Sequence, residues 1–384
     1  MNMLIIGNGF DLAHDRPTTY SDFLQFLIYI LFAKDFRGDR PRFETSLDIK
    51  CESVKHYILS SFDTRKSPCT ETVWNKNPVV QEIYECLDKN VWYEYFSLIQ
   101  KRSLINGKNW IDFEEEILEV INFFDHKITN IYDPISELPG SSTNEKASLF
   151  WDMFCAKMRE EKVRKCVWAD FVDKTYQDLQ DLIRCLELYL DDCVTKMPVT
   201  LNSPDIQKLK PDSVLSFNYT PIPTDIYPSL TNTHYIHGRA KSNRPAIKNN
   251  MVLGVNEYWN GPEKDVRTNF NCYKKFVQRI IKETGIGYKK ALKEMSPDSR
   301  GFGSEYNKVY IFGHSLDVTD GDILREVIRT KEVVTTVFYR NKRQQANQIA
   351  NLSKVLGQDE LLGRVFSDSP TIRFKKQADM VKRT

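Results

Sequence analysis

Two kinds of apolar pattern divide the chain. In the second half, short β-branched or aromatic runs at 213–217, 233–236, 308–312 and 333–339 read as buried strands, and all but the last end at a polar or glycine turn. A similar run at 3–6 stops at Gly7-Asn8-Gly9, a strand followed by a tight turn. Helical spacing fills most of the remainder. It predicts an amphipathic helix over 20–33, helix over 78–100, and another opening at Asp112, with Glu115 as capping-box partner. Phe113, Ile117, Val120 and Phe124 form the apolar stripe of that element. Long helices follow over 144–197, and shorter ones over 269–283, 321–329 and 344–356. Residues 133–143, with two prolines, a glycine and several serines and threonines, read as a linker.

Strands alternating with helices imply an α/β fold with a mostly parallel, Rossmann-like sheet covered by helices on both faces. One strand lies at the start and the others beyond residue 213, so the intervening chain reads as a large helical insertion. The expected division is a core of 1–40 and 200–384 around an insertion of 41–199.

Composition narrows the function classes. Lys plus Arg number 54 against 52 Asp plus Glu, a net charge of +2, so no global electrostatic case exists for a nucleic-acid partner. Local basic runs such as 340–343 and 373–376 read as solvated faces. The eight cysteines include no CxxC pair and no zinc-like Cys/His spacing, so no metal is expected and the thiols are read as reduced, in a cytoplasmic protein. The N-terminus shows no targeting pattern, and the most apolar stretch, 23–32, is interrupted by Gln25. It is about half the roughly 20 residues a membrane span requires, so no membrane partner is expected.

Candidate chemistry gathers at the strand ends. Gly7-Asn8-Gly9-Phe10-Asp11 after the first strand would let backbone N–H groups approach a phosphate, but a dinucleotide fingerprint needs a third glycine where Leu12 stands. A structural turn is the plain alternative. Asn218, closing the second strand, offers amide donors and an acceptor to a ribose or a water, or else only caps the turn before Pro221. His237-Gly238 ends a third strand, with a histidine suited to proton transfer beside a glycine that admits substrate; a satisfied structural histidine is the alternative. Gly313-His314-Ser315-Leu316-Asp317 ends a fourth, with Asp320 close behind. An esterase elbow would need glycine at 317 and a later histidine, and neither is present. A ligand-holding turn, with Asp317 accepting from a ribose hydroxyl, fits better. Four such ends in one parallel sheet would converge on one crevice.

The segments Gly7-Asn8-Gly9-Phe10-Asp11-Leu12-Ala13-His14, Trp110-Ile111-Asp112-Phe113-Glu114, Ser216-Phe217-Asn218-Tyr219-Thr220, Tyr235-Ile236-His237-Gly238 and Phe312-Gly313-His314-Ser315-Leu316-Asp317 closely resemble, in order, the bacterial AbiH-type abortive-infection proteins. The likeness runs from residue 1 to about 320. It departs at Asp15-Arg16, where a glycine and a leucine are expected, a change that should alter only the loop. Family resemblance implies a phage-defence role.

In motif order the chain is also similar to Sir2-type NAD-consuming enzymes, through Gly7-Asn8-Gly9, Asn218, His237-Gly238 and Gly313-His314-Ser315. Thr220 stands where those proteins carry an aspartate and Asp11 where they carry a serine, and their four-cysteine zinc module has no counterpart. This second likeness implies NAD as substrate, cleaved at the nicotinamide–ribose bond. Asn218 would position a water or ribose hydroxyl, His237 would accept a proton, and Asp11 would stabilise developing positive charge. Gly7, Asn8, Gly9, Gly238, Gly313, His314, Ser315 and Asp317 would contact the nucleotide. The alternatives are a nuclease effector and a non-catalytic nucleotide-binding sensor. A phage-derived trigger, a partner protein and homo-oligomerisation are partner expectations of these readings.

Overall fold

The computed structural model describes residues 1–36, 40–61, 77–105, 110–135, 144–163, 165–259, 261–295 and 306–383. Cys69 and 136–143 of the expected linker lie outside them. The chain divides into two units: Met1–Arg16, Met197–Arg239 and Lys282–Thr384 form the first, Pro17–Lys196 and Ala240–Ile281 the second. The helical unit is therefore larger than the 41–199 insertion read from sequence. It also takes 17–40 and 240–281, which the sequence reading gave to the core.

The first unit is built on β1 (Asn2–Ile6), β2 (Leu201–Asn202), β3 (Ser213–Ser216), β4 (Thr233–Tyr235), β5 (Asn307–Phe312), β6 (Val333–Tyr339), β7 (Ile372–Lys376) and β8 (Val381–Lys382). Six of these form one sheet in the order β4-β3-β1-β5-β6-β7, every neighbouring pair parallel; β2 and β8 pair antiparallel elsewhere. Counted along the chain, the large sheet runs 3-2-1-4-5-6, the doubly wound order whose reversal falls between β1 and β5.

Alternation along β1 shows why both faces are covered. Met3 and Ile5 enter one apolar cluster, with Val309, Ile311, Leu324, Val327 and Leu352, while Leu4 and Ile6 enter another, with Phe10, Val214, Tyr227 and Phe312. All four β1 side chains are buried, as a parallel strand between two helical layers requires. One packing helix, Gly321–Arg329, follows the expected bounds, and Lys342–Leu356 starts two residues early.

Residues 373–376 are a solvated basic face as read, and they also form a strand that the sequence reading did not contain: β7 is the edge strand beside β6. Ile372 is buried and Arg373, Lys375 and Lys376 are exposed, a charged edge that discourages pairing with another chain.

The second unit is helical. Tyr20–Asp35 is opened by a capping box in which Thr19 accepts from the Asp22 N–H. The expected 78–100 helix is two, Pro78–Leu87 and Val91–Ile105. Asp112 caps Phe113–Lys127 by accepting from the N–H groups of Glu114 and Glu115. Glu145–Glu160 and Trp168–Leu188 fill the long helical stretch, and only Lys275–Ile281 of the expected 269–283 is α-helical. Aromatic stacking binds these helices: Phe113 lies parallel to Phe96 at 4.0 Å between ring centres and to Tyr20 at 4.2 Å.

Candidate functional site

Because the strands are parallel, Gly7, Asn218, His237 and Gly313 all follow strand ends at the carboxyl edge of one sheet. The register aligns Ser216 with Tyr235, so Asn218 and His237 each sit two residues beyond a paired position.

The glycine turn is in close contact with another turn. The Gly9 N–H donates to the Gly313 carbonyl at 2.7 Å, and the Gly7 N–H to that of Phe312 at 3.3 Å. A Cβ on Gly9 would stand 2.8 Å from Gly313 Cα, and one on Gly313, whose φ is +70°, only 2.2 Å from the Phe10 nitrogen. These glycines let the turns after β1 and β5 touch across the switch point. The expected tight turn is also different in detail: a short helix, Asn8–Ala13, begins at Asn8, which is exposed.

Asp11 on that helix is 1% exposed and gathers three donors. The Asn218 side-chain amide donates to Oδ2 at 2.9 Å, the Thr220 hydroxyl to Oδ2 at 2.5 Å, and Arg16 Nη1 to Oδ1 at 3.3 Å. Burial pushes the Asp11 carboxyl above the usual carboxylate range, opposed by the Arg16 charge and the three hydrogen bonds. The two sequence positions that differ from the Sir2 pattern, 11 and 220, thus meet in one hydrogen bond.

Arg16 corrects the expectation that the departure at Asp15-Arg16 alters only the loop. Asp15 does hold a left-handed φ of 56°, where glycine is the easy choice. Arg16, however, is buried, pairs with Asp11 and donates to the Pro221 carbonyl at 3.1 Å.

Asn218 is 5% exposed. Its backbone N–H donates to Ser216 Oγ at 3.2 Å, its amide nitrogen is engaged by Asp11, and its buried Oδ1 has no partner among the described residues. Such an acceptor is costly to bury unless something donates to it.

At the same edge His237 and His314, both singled out from the sequence, meet at Asp320, which was given no role there. His237 Nε2 donates to Asp320 Oδ1 at 2.9 Å, and His314 Nε2 lies 3.6 Å from Asp320 Oδ2. Both imidazoles are buried. The Phe217 ring meets His237 edge-on at 5.6 Å and His314 at 4.4 Å. His314 Nδ1 accepts the Leu316 N–H at 2.9 Å, and Gln348 donates to the His314 carbonyl at 3.1 Å, so helix Lys342–Leu356 braces this turn.

The remaining candidates divide. Gly238 is buried with φ +76°, a turn that favours glycine. Ser315 is exposed, and its hydroxyl accepts the Asp317 N–H at 3.4 Å. Asp317 caps the turn Val318–Asp320 by accepting the Thr319 N–H at 3.1 Å. His14 has a structural environment: Nδ1 donates to the Phe10 carbonyl and Nε2 accepts from Tyr227, both at 2.7 Å, and burial holds its pKa below the ordinary imidazole value.

Arg16, Thr220 and Asp320 are thus site members that sequence reasoning left without a role. Thr220 and Asp320 each stood within three residues of a named candidate; Arg16 showed only as a family departure. Among the described residues no cluster of three His, Cys, Asp or Glu side chains is arranged to hold a metal, and no helix is long and apolar enough to cross a membrane. The described cysteines are free thiols.

No curated protein and no solved structure matches the chain. One family does: residues 3–339, spanning every strand end of this site, match the family described as bacteriophage abortive infection AbiH. The chain belongs to the AbiH family of bacteriophage abortive-infection proteins.

Proposed function

We propose that this protein is an abortive-infection effector that hydrolyses NAD at the nicotinamide–ribose bond. Family membership supports the phage-defence role; the site chemistry motivates the reaction. The observation that carries it is Asn218 Oδ1, a buried acceptor at the same carboxyl edge of the sheet as the two-histidine group, on an amide whose other end Asp11 holds fixed.

In the reaction, a water oxygen bonds to C1′ of the ribose and the C1′–N bond breaks, its electron pair passing to the pyridinium nitrogen. The water's proton goes to His237. Nicotinamide, ADP-ribose and one proton leave. The transition state is cationic at the sugar, so useful groups are those that hold the ribose and water in line and present negative potential. Asn218 Oδ1 accepts from the water or from a ribose hydroxyl. Asp11 fixes the Asn218 rotamer and, when ionised, contributes negative potential shared with Arg16. The turns carrying Gly238 and His314–Asp317 are the remaining nucleotide contacts.

A non-catalytic nucleotide sensor is the second reading. Thr220, standing where the Sir2-type enzymes carry an aspartate, favours it; the engaged Gly9 N–H is closed to a phosphate in either reading. The deciding experiment follows NAD in the purified protein, alone and with infected-cell extract as trigger, alongside His237→Ala. Loss of NAD with wild type only is the expected result. Nucleotide binding without turnover under either condition replaces the effector reading by the sensor.

A further inference from the structure

We propose that Asp320 is a positioning residue that fixes His237 as the Nε2–H tautomer and so makes Nδ1 the nitrogen that takes the water's proton; this rests on the NAD-hydrolase reading. A carboxylate only accepts, so the 2.9 Å contact between His237 Nε2 and Asp320 Oδ1 requires the imidazole proton on Nε2. In a neutral ring the lone pair is then on Nδ1. The second histidine lies against the other carboxylate oxygen, just beyond hydrogen-bond distance. His314 Nδ1 accepts the Leu316 N–H, so its proton is on Nε2, which faces Asp320 Oδ2 at 3.6 Å. One carboxylate is thus flanked by two buried N–H groups, with Phe217 packed edge-on against both rings.

The consequence is chemical. When water attacks C1′, its proton moves to His237 Nδ1, and Asp320 offsets the charge of the resulting imidazolium without itself becoming protonated. The proton then leaves to solvent. A tautomer fixed in advance removes a rearrangement from the reacting step.

The test is nitrogen NMR of the full-length chain with labelled histidine, in which six imidazoles are present and His237→Ala assigns the one of interest. Wild type is expected to show neutral His237 protonated on Nε2. Asp320→Ala should lose that preference and, where NAD is consumed, lower kcat at least about a hundred-fold with KM unchanged. Asp320→Asn keeps the size but loses the charge, and its amide can donate as well as accept: the Nε2–H preference should be lost and kcat should fall, so this variant serves if alanine impairs folding. An Nδ1–H tautomer in wild type, or an unchanged tautomer in Asp320→Ala, overturns the assignment. A correct tautomer with no NAD loss instead removes the hydrolase reading and leaves the positioning pair standing.

Discussion

Each unit buries a carboxylate among donors, and the two are finished differently. Asp125, in the helical unit, is wholly inaccessible. Its Oδ2 accepts from the Tyr258 hydroxyl and the Trp259 indole, both at 2.7 Å, its Oδ1 from Asn269 at 3.2 Å, and its carbonyl from Arg267 at 2.7 Å. Every donor comes from 258–269, so one side chain pins that segment to helix Phe113–Lys127. Asp11 also has three side-chain partners, but one of them, Asn218, carries an acceptor that no described residue satisfies. Saturation makes Asp125 part of the architecture. The oxygen beside Asp11 leaves that set of hydrogen bonds unsaturated among the described residues.

Substitutions at the unsaturated site carry the largest expected effects. His237→Ala and Asn218→Ala are each expected to reduce NAD turnover by about 10² to 10⁴ and to abolish defence, with the protein still folded. Turnover retained in both, at unchanged melting temperature, removes the catalytic assignment. The mirror experiment is Asp125→Ala. It should cost about 3–5 kcal/mol of stability, because it strands several buried donors at once, while leaving the residual folded fraction as active as wild type; a loss of specific activity instead would mean that Asp125 is more than a latch.

Arg16→Leu, which installs the residue the family likeness leads one to expect, should destabilise by about 3 kcal/mol because Asp11 keeps its burial and loses its cation. Adding Asp11→Asn should recover part of that loss, and a strictly additive double variant would show that the pair is not coupled.

Asp11 also predicts a pH effect. Its folded pKa is raised by burial above the unfolded value near 3.8. Its contribution to stability is therefore fully present below the unfolded pKa and is lost as pH rises through the folded one. Wild type minus Asp11→Asn stability, from melting temperatures, should grow as pH falls through that window. A difference that shrinks toward acid would reverse the assigned shift. The smallest effect belongs to Ser315→Ala: the side chain is exposed, and stability should stay within about 0.5 kcal/mol with only mild change in turnover. Total loss of turnover with binding intact would reopen a nucleophilic role for that serine.

Strand runs were legible wherever burial on both faces selects continuous apolar sequence, as at β1. Strand β7 was hidden because only Ile372 is fully buried and its neighbours carry edge charge. The boundary of the helical unit was obscured because 240–281 has little regular structure. That segment is held by side chains such as Gln278, which donates to the Leu253 carbonyl at 2.9 Å and accepts its N–H at 3.1 Å. Periodicity does not register such contacts.

The candidate site was legible as a set of strand ends, because a parallel sheet must bring its carboxyl ends to one edge. Its internal pairing was not. By itself the sequence determined the parallel α/β sheet, the family, and Asp11, Asn218, His237 and His314 as residues near one edge. Tertiary structure alone decided that Gly9 and Gly313 pack on each other, that Arg16 and Thr220 converge on Asp11, and that Asp320 stands between two histidines. The reason is range. Strand and helix patterns arise from neighbours a few residues apart, whereas these contacts join positions 207, 209 and 83 residues apart, as in Asp11–Asn218, Asp11–Thr220 and His237–Asp320. Only the packed sheet brings them within hydrogen-bonding distance.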